Sequence, residues 1–266
     1  MLIIIVFVLL SSMIHVEAKS LYLDLMKKCL INSIYQDKST YWPGHALVQA
    51  GYQQADREVG LDWPSVAHTM IGRKRLDNVQ FCLEDVLKNN IPGDVIETGV
   101  WRGGATIFMR AILKEHGNTN KKVWVADSFE GLPAPKPELY PADAPSQLHT
   151  YKELVVSLEE VQANFERYGL LDNQVKFLKG WFCDTLPTAP IKKLSLMRLD
   201  GDLYESTMDA LVNLYPKLSV GGYVIIDDYG AIEFCAQAVH DFRKKYGITD
   251  KLQKVDHSAV YWKRTK

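Results

Sequence analysis

The sequence has no excess of charge of either sign: 31 Lys and Arg stand against 32 Asp and Glu, for a formal net charge of −1 at pH 7. A protein that grips nucleic acid by its phosphates needs a basic surplus, so that class of partner is not expected. Long hydrophobic runs are missing too. The longest, Leu2 to Leu10, is about half of the ~20 residues that carry a helix across a bilayer, and no stable membrane span is expected. The four cysteines, Cys29, Cys82, Cys183 and Cys235, form no C-x-x-C pair and have no histidine at metal-ligand spacing, which argues against zinc. Their even number permits disulfides, although in a chain of this length cysteine more often fills core space as a small apolar residue. The phosphate-loop pattern, the dinucleotide pattern G-x-G-x-x-G and the nucleophile elbow G-x-S-x-G are all absent. Phosphate-loop nucleotidases, NAD-dependent oxidoreductases and triad hydrolases are therefore disfavoured. No period of 20 to 50 residues recurs, which leaves a repeat architecture without support.

What is present is the composition of a folded domain. The 266 residues are 47% hydrophobic and 24% charged, with ordinary glycine and proline contents, enough for one substantial core or at most two small domains. The apolar run at the start is followed by Ser11, Ser12 and Val16-Glu17-Ala18, whose small residues resemble a signal-peptidase site. Residues 1–18 are read as a signal peptide, implying a secreted or secretory-pathway protein. The rival is a buried N-terminal strand in a cytoplasmic protein, since no Lys or Arg precedes the run.

After residue 90, strand-like and helical patterns alternate. Strands are expected at 94–97, 123–127, 175–178, 194–200, 223–227, 252–255 and 259–262. One helix opens on the capping box Ser157-x-x-Glu160, aligns Leu158, Val161, Phe165 and Tyr168, and stops at Gly169. Another aligns Ile232, Cys235, Ala236, Val239 and Phe242 and ends in Arg243, Lys244 and Lys245, where positive charge suits a helix C-terminus. Such alternation predicts an α/β fold: a doubly wound, mostly parallel seven-stranded sheet that binds ligands at the carboxyl ends of its strands. The last two strands are too close for a helical crossover and should form an antiparallel hairpin. Residues 19–90, with Val79, Cys82, Leu83 and Val86 at helical spacing, read as an N-terminal helical cap on a 91–266 domain. Pro133, Pro135, Pro137, Pro141 and Pro145 mark a long loop, either an active-site cover or a passive surface loop.

Two constellations carry chemistry. Glu97-Thr98-Gly99-Val100-Trp101-Arg102-Gly103-Gly104 lies between the first strand of the sheet and the next helix. Glycines there let a ligand approach the backbone, and the adjoining carboxylate suits hydroxyls or an ammonium group better than a pyrophosphate. S-adenosylmethionine is such a ligand. The following strand ends in Asp127, close to the interval of about 20 residues at which an acid grips ribose hydroxyls in nucleotide-binding sheets. After the third strand, Gly180-Trp181-Phe182 offers either a wall for an adenine ring or ordinary core packing. The second constellation is acidic. Leu199-Asp200-Gly201-Asp202 and Ile226-Asp227-Asp228 end strands that should be neighbours, and adjacent carboxylates there call for a hard divalent cation such as Mg²⁺. The bland alternative is a pair of helix N-caps.

Taken together, Glu97 to Thr106, Asp127-Ser128-Phe129-Glu130-Gly131-Leu132-Pro133, Arg198 to Thr207 and Asp227-Asp228-Tyr229 resemble the macrocin O-methyltransferase (TylF-type) family. The resemblance covers nearly everything after residue 19, and Thr69-Met70-Ile71-Gly72 resembles a cofactor-covering segment of that family. It implies a class-I methyltransferase fold and S-adenosylmethionine, with a site at Thr69, Met70, Glu97, Thr98, Gly99, Gly103, Asp127 and Ser128, to which the reading of the third strand end adds Trp181 and Phe182. It further implies Mg²⁺ on Asp200, Asp227 and Asp228, and a small-molecule hydroxyl acceptor, sugar or phenol. Asp200 is the candidate proton acceptor, with His257 or a metal-bound water as rivals. The alternative is a noncatalytic nucleotide-binding or scaffolding domain that keeps the fold. Trp42 and Trp63 suit either a homodimer interface or a substrate wall.

Overall fold

The computed structural model describes residues 21–40 and 51–266. The expected signal segment and Trp42 lie outside them. Among the described residues, no helix is long and apolar enough to cross a membrane.

The N-terminal part is built by amphipathic helices tied together by the buried Arg57. Helix α1 (21–30) buries Leu23, Met26 and Leu30, the three- and four-residue spacing of a helix face. Arg57, at the end of α2 (Gln54–Val59), is 1% exposed; it donates to Asp62 and Asp37 and to the Ile31 carbonyl. That cross-links the end of α1 to the short antiparallel pair β1 (Ser39–Thr40) and β2 (Trp63–Pro64). Helix α3 (Gly72–Lys88) buries Leu76, Val79, Cys82, Leu83 and Val86.

The main sheet contains β3 (Asp94–Thr98), β4 (Val123–Asp127), β5 (Val175–Lys179), β6 (Leu194–Leu199), β7 (Leu218–Ile226), β8 (Gln253–Lys254) and β9 (Val260–Lys263). Their order is β5-β4-β3-β6-β7-β9-β8. The first five are parallel, and β9 runs antiparallel to both β7 and β8. Strand periodicity sorts the core into two layers. Val95, Val123, Val125, Leu196, Tyr223 and Ile225 pack with α1, α3, α4 (Gly104–Glu115) and α5 (Leu158–Arg167). Their neighbours Ile96, Trp124, Ala126, Met197, Val224 and Ile226 pack with α7 (Tyr204–Leu214) and α8 (Glu233–Lys245). The N-terminal helices thus form one layer of the same core.

Local signals work as the sequence implies. Ser157 Oγ accepts the Glu160 amide hydrogen at 3.2 Å, and Gly169, at φ 62°, follows the helix end. On α8 the buried stripe contains Ala238 rather than Ala236. Strand β7 begins at Leu218, five residues ahead of expectation, because its weak-looking start, Ser219 to Gly222, continues the ladder through an irregularity opposite β6. All four cysteines are free; Cys82 and Cys235 are buried in the core.

Candidate active site

The chain lays β3, β4 and β5 toward one edge, then returns to place β6 on the other side of β3, and ligands bind at such a switch in strand order. A cavity of about 850 Å³ opens at the carboxyl ends of these strands. Its floor depends on one glycine. Gly99 has φ 78°, and a Cβ on it would lie 1.6 Å from the Asp200 carbonyl oxygen, so any other residue would force β3 and β6 apart. Three of the non-glycine residues held in the left-handed region, Trp101, Phe129 and Asp202, sit in the turns leaving β3, β4 and β6. Such conformations are costly and collect at functional sites.

Of the residues expected to bind a cofactor, Thr69, Met70, Glu97, Gly99, Asp127, Ser128, Trp181 and Phe182 line the cavity. Thr98 and Gly103 do not. Thr98 is fully buried within the sheet, and Gly103 is small for packing: a Cβ there would press on Val161 of α5 at 2.9 Å. Thr69 and Met70 are brought over the cavity because the preceding His68 carbonyl accepts the Gly104 amide hydrogen at 2.9 Å. Asp127 accepts the Val100 and Phe129 amide hydrogens, each at 2.7 Å, and the Ser128 hydroxyl at 3.4 Å. Burial raises its pKa above the usual carboxylate range, against the pull of those amides. Glu97 accepts from Thr106 Oγ1 and from Arg198, and burial pushes it up to about 7.

The acidic end is organised by two arginines that the sequence analysis did not select. Arg198, 1% exposed, pairs with Glu97, with Asp200 at 2.9 Å and with Asp227. Arg75 of α3 pairs with Asp227 at 2.6 Å and Asp256 at 2.8 Å, and its guanidinium lies 3.4 Å from His257 Nε2. Both Asp227 oxygens therefore accept from guanidinium groups. Of the expected set Asp200, Asp227 and Asp228, the first and last converge with Asp202 among the described residues, each of these three offering an oxygen within 4.8 Å of the others, while Asp227 is turned to the two arginines. Asp202 enters because its left-handed backbone turns its amide toward Asp228 Oδ2, 3.3 Å away. Burial and mutual repulsion push Asp200 up to about 6 and Asp202 up to about 8, and raise Asp228 well above the ordinary range. His257 lines the same cavity, and burial lowers its pKa, which favours the neutral ring. The legible signal for Arg198 was a lone charge in the apolar strand Leu194–Leu199; for Arg75, in a charged helix start, there was none.

Trp63 is 4% exposed, stands edge-on to Tyr151 at 5.9 Å and lines the cavity, which favours the wall over an open interface. The proline-rich segment is a wall as well. Pro133, Pro135 and Lys136 line the cavity, and buried Asp143 accepts the Tyr204 and Glu205 amide hydrogens at 2.6 and 3.0 Å, capping α7 from outside.

The sequence profile of the macrocin-O-methyltransferase (TylF) family matches residues 19–264. A tetracenomycin-C glycoside 4'-O-methyltransferase of Streptomyces olivaceus is 58% identical over 94% of this chain and 94% of its own length. The mycinamicin III 3''-O-methyltransferase of Micromonospora griseorubida is 52% identical over 92% of this chain and 96% of its own. The solved structure of the O-methyltransferase NovP superimposes with a TM-score of 0.87 at 54% identity, covering 93% of this chain and all of that one.

Proposed function

The chain belongs to the macrocin-O-methyltransferase (TylF) family, and from that premise we propose that it moves a methyl group from S-adenosylmethionine to a hydroxyl of a small sugar or phenol, assisted by Mg²⁺. The supporting observation is that one cavity joins two chemically distinct ends. One is the Gly99 turn with Glu97 and Asp127; the other is the carboxylate group Asp200, Asp202 and Asp228.

The residues fit both groups. Gly99, Asp127 and Glu97 line this end of the cavity; Asp127 stands at the end of β4, where an acid meets ribose hydroxyls in nucleotide-binding sheets, and Glu97 is a carboxylate acceptor for an amino group. Three hard oxygen donors that repel one another suit a divalent cation, which Asp200, Asp202 and Asp228 would hold. Bound there, Mg²⁺ would supply Lewis acidity that lowers the pKa of an acceptor hydroxyl.

The chain's own groups then have separable tasks. Methyl transfer is an in-line displacement, so the walls must align donor and acceptor and keep water out. Trp181, Phe182, Trp63 and the proline-rich segment provide these walls. Arg198 and Arg75 fix Asp227 and thereby the end of β7 against β6. The proton leaving the hydroxyl goes to a group that stays off the cation, because a carboxylate holding a metal ion loses basicity; His257, which lines the same cavity and whose ring burial keeps neutral, takes that role, in place of Asp200, the candidate from sequence.

The test is transfer of label from methyl-labelled S-adenosylmethionine to a panel of 6-deoxyhexosides and catechols, after EDTA dialysis, with and without restored Mg²⁺. Transfer should need Mg²⁺, and His257→Asn should lower kcat by about 10²-fold or more while S-adenosylhomocysteine affinity is kept. Full activity in EDTA would leave the three acids without a metal role. Cofactor binding with no transfer to any acceptor would turn the assignment toward a noncatalytic domain.

A further inference from the structure

The cavity carries a second acidic group that the reaction above does not use. Glu205 and Asp209 stand one helical turn apart on α7, and Asp184 belongs to α6 (Phe182–Thr185), which packs on α7; all three line the cavity. The Glu205 side chain is only 7% exposed. Its Oε1 accepts from Lys136 Nζ at 2.7 Å, while its Oε2 is buried with no hydrogen-bond partner. An acceptor left in that state is expensive and marks a place where a donor from outside the chain is wanted.

The charge balance says what kind of donor. Three carboxylates face one ammonium, and that of Lys136 is 44% exposed, so much of its charge is screened by water. Burial, with Glu205 and Asp184 adding repulsion, pushes Asp209 up to about 6. A neutral hydroxyl would satisfy Oε2 but leave the surplus negative charge. A metal ion is disfavoured by spacing, since among the described residues only Asp200, Asp202 and Asp228 converge closely enough for one. A phosphate would add to the repulsion.

We propose that Glu205, Asp209 and Asp184 form a subsite for a protonated amine carried by the acceptor, so that the enzyme prefers amino glycosides to neutral or phosphorylated ones. The subsite rests on the methyltransferase reading only in taking the acceptor to occupy this cavity. Its position fits that use. Gly201, between Asp200 and Asp202, would bring a Cβ within 3.1 Å of Ser206 Cβ, so the first turn of α7 abuts the turn that presents the reacting end.

The test uses the full-length protein with S-adenosylhomocysteine and Mg²⁺ at pH 7, and two probes: a methyl 6-deoxyhexoside with a primary amine at C3, and its N-acetyl derivative. Dissociation constants are read by ligand-observed NMR. The wild type should bind the amine about tenfold more tightly. Glu205→Gln and, separately, Asp209→Asn should each erase most of that preference by weakening the amine alone, with the N-acetyl probe and S-adenosylhomocysteine within twofold of wild type. Asp209→Asn guards against Glu205→Gln acting through Lys136. Equal binding of both probes by the wild type, binding of neither, or parallel weakening of both in the variants would overturn the subsite. Failure of the methyltransferase reading looks different: the amine preference would persist with no methyl transferred to either probe.

Discussion

Replacing Arg198 by methionine tests the electrostatic frame of the site directly. The guanidinium is 1% exposed and touches Glu97, Asp200 and Asp227, so a side chain of similar length without charge leaves three carboxylates short of a partner at once. Breaking a buried ion pair from one side costs about 3–5 kcal/mol. For a chain of this size about 4 kcal/mol corresponds to a melting point lowered by roughly 10 °C. The sign of the pH dependence follows from linkage. Glu97 and Asp200 already have folded pKa values raised to about 7 and about 6, so the stability they lend is present below the ordinary carboxylate range and is lost as pH rises through those values. Without Arg198 their pKa values rise further, which steepens that loss. The deficit of Arg198→Met should therefore be large at pH 7.5 and shrink by about half or more at pH 5.5, read as melting temperature and urea midpoint. A variant that melts within about 2 °C of wild type at pH 7.5, or one equally damaged at both pH values, would refute the idea that this arginine offsets buried charge.

Mg²⁺ should raise the melting temperature more at pH 8 than at pH 5.5, because Asp202 and Asp200, at about 8 and about 6, must shed protons to bind it. At a hundredfold excess over Kd the gain is about 2.7 kcal/mol, and an equal rise at both pH values counts against the metal. Gly99→Ala should yield protein that is insoluble or fails to bind S-adenosylhomocysteine in calorimetry, since its Cβ would overlap the Asp200 carbonyl; Gly117→Ala, also at positive φ but with nothing within 4 Å, should cost only about 1 kcal/mol in urea titration. Asp143→Ala removes the acceptor for two α7 amides and should cost about 1–2 kcal/mol. It should also raise the acceptor KM several-fold while S-adenosylmethionine KM stays within twofold, as steady-state kinetics would show, because it frees the proline-rich wall.

The fold was legible because its signals are local and periodic. The Ser157 cap, the Gly169 stop and the alternating faces of β3, β4 and β6 each follow from neighbours a few residues away. The cavity residues Glu97, Gly99 and Asp127 were legible for the same reason: they sit at strand ends, and a strand end fixes which residues will face the cavity there. Gly103 was harder to read, because a glycine in such a turn serves either a ligand or a packed helix, and the Val161 side chain that packs on it lies 58 residues along the chain.

The acidic end shows where sequence reasoning stops. Asp200, Asp202, Asp227 and Asp228 are alike as residue types at two adjacent strand ends, and spacing ranks Asp227 and Asp228 as an obvious pair. The outcome turns on Arg75, which reaches Asp227 from an N-terminal helix 152 positions away, and on Arg198 from the neighbouring strand. Once both Asp227 oxygens hold guanidinium groups, the charge left unneutralised is on Asp228, Asp200 and Asp202, and that is where a cation gains most. For the proposed Mg²⁺ site this gives the N-terminal cap a share in the chemistry: by delivering Arg75 it would select which aspartates remain available, so Arg75→Met should free Asp227 and alter Mg²⁺ affinity, whereas a purely structural cap would leave that affinity unchanged in a Mg²⁺ titration of the folded variant.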